Sequence, residues 1–177
     1  LKKTGLNGLI IDLRENPGGY LSSAWHLCEL FIDRGEKVVT VKPRAGAVRE
    51  YKAEAAGDKS FEIVVLVNGN SASASEIVAA CLQDHARATV VGERSYGKGS
   101  VQDVREFSPT GGQLKYTIAR YYPPSGRNID KLATEQDPTI KEWGVKPDAG
   151  FEVKLSSEEL NDWYEYAQDL LVIPPPG

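Results

Sequence analysis

The chain has 177 residues, enough to bury one core of ordinary size, and with 41% hydrophobic and 26% charged residues its composition is globular rather than disordered. A formal net charge of −4 speaks against a nucleic-acid surface, which needs a basic face to neutralise phosphate. No apolar run approaches the roughly 20 residues that cross a bilayer.

The N-terminal residue is Leu1, not Met, and the Ile173-Pro174-Pro175-Pro176-Gly177 end reads as a linker, so 172–177 is taken as a Pro-rich tail and 1–177 as one domain of a longer chain. Residues 8–14 are almost continuously apolar, as expected of a strand covered on both faces. Glu15-Asn16-Pro17-Gly18-Gly19 breaks it, and 21–34 place Leu21, Ala24, Trp25, Cys28, Phe31 and Ile32 on one helical stripe. Segments 37–43 and 48–53 flank Ala45-Gly46-Ala47 as a hairpin. A second buried strand at 62–68 ends in Asn68-Gly69-Asn70-Ser71, and helical spacing resumes over 73–86. A short strand at 89–92 follows, then alternating runs 101–107 and 113–122 joined by a Pro-Thr-Gly-Gly turn. Residues 123–150 read as loop, and 156–171 as a closing helix capped by Ser156 or Ser157. Cys28 and Cys81 sit among apolar helix residues and read as packing groups, forming neither a disulfide framework nor a metal motif. The class is mixed α/β.

The densest chemistry lies in Asn68-Gly69-Asn70-Ser71-Ala72-Ser73-Ala74-Ser75-Glu76 and in Gly92 through Gln102. One reading is structural: Ser73-Ala74-Ser75-Glu76 fits a capping box. A phosphate loop fails, because Gly92-x4-Gly97-Lys98 is followed by Gly99, not Ser or Thr, and by a strand pattern, not a helix. The third reading is nucleophilic catalysis, which requires a base to take the serine proton. His26 and His85, the two histidines, sit in helical patterns and read as structural, whereas lysine is an established alternative partner. A reference lysine is neutral in only about one molecule in 2,500 at pH 7, so such a base needs a site that lowers its pKa by roughly 3. Gly97 and Gly99 allow close backbone approach around Lys98. The Ala74 amide at a helix N-terminus and a glycine amide of Gly18-Gly19 are candidate oxyanion donors, if both loops leave one sheet edge.

Taken together, Leu9 through Gly19, Ser71 through Ile77, Gln83-Asp84, Gly92-Glu93 and Gly97 through Gln102, with Tyr122-Pro123-Pro124-Ser125-Gly126-Arg127 and Gly144 through Asp148, resemble the carboxyl-terminal processing (tail-specific) proteases. The resemblance runs from about Gly8 to Val153 and implies an α/β core like that of the Clp-protease and crotonase superfamily, built of ββα units with helices packed on the sheet. It implies a serine endopeptidase with Ser73 as nucleophile, Lys98 as general base and Gln102 orienting the lysine, with Ala74 and Gly18 or Gly19 holding the oxyanion. Asp84 matches a frequent acid of the family and is supportive only. Peptide bonds near nonpolar carboxyl-terminal tails would be cut through an acyl-enzyme, without metal or organic cofactor. The resemblance also implies an exported protein of the bacterial envelope or an equivalent compartment, and leaves a homo-oligomer or an activating partner open. No PDZ pattern is evident, and the loop from Asn128 to Trp143 exceeds the common family pattern; its Asp130, Glu135, Asp137 and Glu142 read as solvated loop, not as a cation site. The alternative is a module of the same fold that binds a ligand or peptide without cutting it.

Overall fold

The protein is described by a computed structural model over residues 6–107 and 111–171; the Pro-rich tail at 172–177 lies outside the described residues. In chain order the elements are β1 (Gly8–Asp12), α1 (Leu21–Glu29), β2 (Lys37–Pro43), β3 (Arg49–Lys52), β4 (Glu62–Val67), α2 (Ala74–Asp84), β5 (Thr89–Gly92), β6 (Ser100–Phe107), β7 (Gly112–Tyr122), α3 (Lys131–Gln136) and α4 (Ser157–Leu171). They form a parallel sheet of order β1-β4-β5 and an antiparallel sheet of order β3-β2-β7-β6. The mixed α/β architecture expected from the sequence is present, and both expected hairpins close the antiparallel sheet.

Helix α2 is buried from Ala74 to Leu82 because it runs between the two sheets, touching α1, β2 and β5. Its Ala, Ile, Val, Cys and Leu side chains meet Ile63, Val65 and Val67 of β4 and Val38 and Val39 of β2 in one core. Cys28 and Cys81 are free thiols within that core. The hydrogen bond from Cys28, then burial, pushes the Cys81 thiol well up, so it is an inert packing group. His26 stacks on Trp25 with ring centroids 5.1 Å apart, and His85 Nε2 meets the Lys37 carbonyl at 2.7 Å.

Three boundaries differ from expectation. Strand β1 is not covered on both faces: it is an edge strand whose Leu9 and Ile11 turn toward the core while Ile10 is 67% exposed. Helix α1 stops at Glu29 rather than continuing to 34, because Gly57 and Asp58 donate to the Ile32 and Leu30 carbonyls and draw the chain out of the helix. Helix α3 appears inside the expected loop, capped by Asp130, whose carboxylate accepts from the Leu132 amide at 3.1 Å. Helix α4 has the full capping box that its sequence offered, with Ser156 as cap: Glu159 N donates to Ser156 Oγ at 3.2 Å and Ser156 N to Glu159 Oε2 at 2.8 Å.

Asp84 holds the 122–127 motif. Its carboxylate accepts from the Arg127 guanidinium and, at 2.8 Å, from the Ser125 amide, while Arg127 also donates to Gln83 Oε1 at 2.9 Å. The carboxylate is nearly buried and the guanidinium only partly so. Asp84→Ala therefore leaves a half-buried cation and an amide unpaired, and is expected to cost about 1–3 kcal/mol in urea unfolding.

Candidate active site

Because β1 and β4 are parallel, the loops that follow them leave the same, carboxyl-terminal edge of the sheet, where open α/β sheets place their sites. The two loops are laced together. Asn68 Nδ2 and Asn70 Nδ2 donate to the Glu15 carboxylate at 2.6 and 2.8 Å. The Asn16 carbonyl accepts the Ala72 amide at 3.0 Å. Glu15 and Ser73 are two of only three non-glycine described residues with positive φ, at 57° and 59°. Such strain persists only where the surroundings over-determine it.

The three alternating serines have separate fates. Ser71 Oγ donates to the Leu13 carbonyl at 2.7 Å and Ser75 Oγ to the Asn16 carbonyl at 3.1 Å, so both are spent joining the loops. Ser73, half-buried at the N-cap of α2, has its side chain on the wall of a cavity of about 770 Å³ and makes no capping hydrogen bond. Of the capping box, the glutamate half is a full hydrogen bond, with the Ser73 amide donating to Glu76 Oε2 at 2.9 Å.

Gly18 takes φ 97° with its backbone against the elbow: a Cβ there would lie 2.8 Å from Ala74 N and 2.9 Å from Ser73 Cβ. Its own amide is occupied, donating to Asn16 Oδ1 at 2.9 Å. The amides of Gly19 and Ala74 donate to no other described residue, and both residues line the cavity. The two expected glycines thus divide their work: Gly18 permits the close approach, and Gly19 offers the free donor.

Glu76 ties the elbow to the lysine segment. Fully buried, its carboxylate accepts from Ser95 Oγ at 2.5 Å, Gly97 N at 2.7 Å, Lys98 N at 2.8 Å and Ser73 N. Burial raises its pKa above the ordinary carboxylate range, against those four hydrogen bonds. Gly99, on the other side of Lys98, packs on the 129–131 segment, where a Cβ would lie 2.6 Å from Asp130 N. Lys98 is half-buried, and its Nζ pairs with no acid among the described residues. It lines the same cavity as Ser73 and also a second, more open one that reaches Arg94, Lys131 and Trp143.

Gln102 also lines both cavities, with Ser100 and Val104 two residues to either side of it on the first. Val101 pairs with Ala119 and Gln102 with Thr117, a register shift that leaves Ile118 as the extra residue of β7. No Gln102–Lys98 hydrogen bond is present among the described residues. On the same sheet face, Arg49, Val41 and Tyr121 stand in register across β3, β2 and β7. The cavity wall holds Arg49, Lys98 and Lys115 and no acidic side chain, although the chain as a whole is acidic.

Tyr121, which the sequence reading passed over, is 3% exposed and lines this cavity. Its alternation within 113–122 marked a strand but gave no sign of the site. Asp84, His26 and His85 do not line the cavity. Of the loop acids, Asp130 is not solvated as expected but buried, because it caps α3 and faces Arg120 at 3.6 Å, whereas Asp137 holds Thr139 and Glu142 pairs with Lys146 at 2.5 Å; Asp130 and Glu135 border the second cavity.

A strained serine elbow against two free amides, beside a half-buried lysine, is the outline of a hydrolase site built around a serine nucleophile. The model of peptidase family S41 matches residues 1–149, and the chain belongs to that family. It is 42% identical over 157 residues to a carboxy-terminal-processing protease of Bartonella bacilliformis, covering 88% of this chain and 36% of that protein. It is 37% identical over 171 residues to a carboxyl-terminal-processing protease of Picosynechococcus sp., covering 97% and 39%. The chain thus spans less than two-fifths of the length of these relatives. Among solved structures, a photosystem II D1 C-terminal processing protease superposes with a TM-score of 0.69 at 35% identity, covering 86% of this chain and 36% of that one. The likeness to mature CPAF, with a TM-score of 0.69 at 16% identity, concerns the fold alone.

Proposed function

We propose that this chain is the catalytic core of a serine endopeptidase that uses Ser73 and Lys98 as a dyad and cuts proteins near their carboxyl termini. The observation that carries the reading is the fate of the three serines: two are consumed by the scaffold, and the third faces the cavity that Lys98 also lines. Neutral Lys98 accepts the Ser73 proton as Oγ attacks the scissile carbonyl, and the Gly19 and Ala74 amides receive the oxyanion. The lysine then gives that proton to the leaving amine, and in the second half-reaction takes one from water. Gln102, which lines both cavities with Lys98, orients the lysine when substrate is bound. The substrate class follows from the cavity: Leu21, Val41, Ile77 and Val101 suit nonpolar side chains. Arg49, two strands or about 10 Å from Tyr121, suits the terminal carboxylate of a tail a few residues long.

The test is cleavage of unfolded casein by the longest natural form of the chain, beside Ser73→Ala and Lys98→Ala. Loss of turnover in both, with unchanged circular dichroism, is the expected result. Undiminished turnover in either overturns the dyad, and uptake of a ligand without turnover in any form favours the binding module. We also propose, from the family resemblance alone, that the protein works outside the cytoplasm, which cell fractionation tests.

A further inference from the structure

The Tyr121 phenol is the buried polar group that the dyad mechanism leaves unused. It is 3% exposed, the residue lines the cavity shared by Ser73, Ala74 and Lys98, and its buried Oη has no hydrogen-bond partner among the described residues. A buried hydroxyl without a partner is costly, and native chains rarely keep one without a use. The backbone around it is fully committed, with Tyr121 N donating to the Gly99 carbonyl at 2.9 Å and the strand paired to Val41. Its position is therefore fixed by the residue next to Lys98 on one side and by the cavity wall on the other.

Burial first, then the Glu76 charge, hold the phenol well above its ordinary pKa, while the Ser73 hydroxyl acts in the opposite sense. The group thus favours its protonated form and keeps an O–H to donate. Ser73 is near enough to be felt, yet the pair falls short of hydrogen-bond geometry. Hydrogen bonds of this kind are often long in an empty site and tighten when substrate arrives.

We propose that Tyr121 is a positioning residue whose phenol donates to Ser73 Oγ in the substrate complex, turning the serine proton toward Lys98. This rests on the dyad reading above. The Ser73 backbone is held by Glu76, whereas its Oγ makes no full hydrogen bond among the described residues. A donor on one side of Oγ leaves the hydroxyl one direction in which to donate, toward the lysine. In deacylation the carbonyl carbon–Oγ bond breaks, Oγ takes its proton from the Lys98 ammonium, and Tyr121 keeps its own while stabilising the charge on the departing oxygen. No oxidant, metal or further reactant is involved.

Tyr121→Phe removes one oxygen and nothing else, and the proposal gives activity and stability opposite signs. The kcat of peptide cleavage is expected to fall about 10- to 100-fold, somewhat less than the roughly 10²–10³ for loss of an oxyanion donor. KM stays within about twofold, as for an interaction made only in the reacting complex. The thermal midpoint stays level or rises, because an unpartnered buried hydroxyl has gone. The rate at which a small fluorophosphonate modifies Ser73 falls in step with kcat. A kcat within about twofold of the parent overturns the proposal, and so does a loss of kcat that comes with a lowered thermal midpoint. Ser73→Ala, run in parallel, separates the two ideas: if it retains turnover, the dyad itself fails. If it is dead while Tyr121→Phe is fully active, only the role of Tyr121 fails.

Discussion

Gly18→Ala is expected to reduce peptide cleavage at least about a thousandfold, toward the level left by Ser73→Ala. The reason is geometric. At φ 97° an L side chain is strained whatever the space around it, and here there is none: the added carbon would lie 2.5 Å from the Ala72 carbonyl oxygen, 2.8 Å from Ala74 N and 2.9 Å from Ser73 Cβ. Contacts below 3 Å with backbone cannot be relieved by a side-chain rotation, so one of the two loops must move. Either movement separates the Gly19 amide from the Ala74 amide and alters the aim of Ser73. A displacement of about 1 Å costs on the order of 10² in rate, and misplacing an oxyanion donor as well as the nucleophile compounds it. Stability falls too, by about 1–3 kcal/mol for the strained backbone. Turnover and urea unfolding of the variant check both halves; a well-folded variant with turnover within tenfold of the parent contradicts the close approach. Gly19→Ala is the comparison, because a Cβ there meets nothing within 4 Å.

The elements were legible because their period and punctuation agree with their burial. Ile77, Val78, Cys81 and Leu82 read as helix and are buried as one, and Asn68 through Ser71 ends β4 as its turn chemistry requires. The site was legible in outline, since a serine before a helix and a lysine between glycines are local features. What decides among candidates is long-range. That Ser71 and Ser75 are spent depends on the carbonyls of Leu13 and Asn16, some 58 residues away. Whether Gly18 or Gly19 keeps a free amide depends on the rotamer of Asn16. Gln102 shares the cavity with Ser100 and Val104 as alternation requires, but that this face of β6 meets Lys98 depends on the pairing with β7 and not on local spacing. Tyr121 is one of several aromatics in an alternating strand, and that its buried hydroxyl has no partner among the described residues is something no periodicity can reveal. The exposed face of β1 was hidden for a similar reason: Leu9, Ile10 and Ile11 are equally apolar, and only which face of the sheet the rest of the fold covers separates them.

Glu76→Gln tests the link between the two halves of the site, through activity and through pH. The capping-box spacing marked the contact with the Ser73 amide, but the same carboxylate also receives Ser95, Gly97 and Lys98 from 19 to 22 residues downstream. An amide has one accepting oxygen. Placed at Oε2 it keeps Ser73 N and Lys98 N, and its NH2 then faces Ser95, whose hydroxyl can accept. The Gly97 N–H is left against a donor, directly before Lys98. The expected cost is about 1–3 kcal/mol, with kcat lowered by roughly 10²-fold as the lysine segment shifts. The pH dependence has a definite sign. Burial raises the folded pKa of Glu76 above its ordinary value of 4.5, so the native state binds this proton more readily than the unfolded chain. Its contribution to stability is complete below about pH 4.5 and is lost as pH rises through the raised folded value. The exposed acids with lowered pKa, such as Glu50 and Asp137, act in the opposite direction but are common to both proteins. The difference in unfolding free energy between parent and Glu76→Gln should therefore shrink from pH 4 upward. A difference that grows instead means that the four hydrogen bonds outweigh burial, and that the carboxylate is held as an anion wherever the protein works.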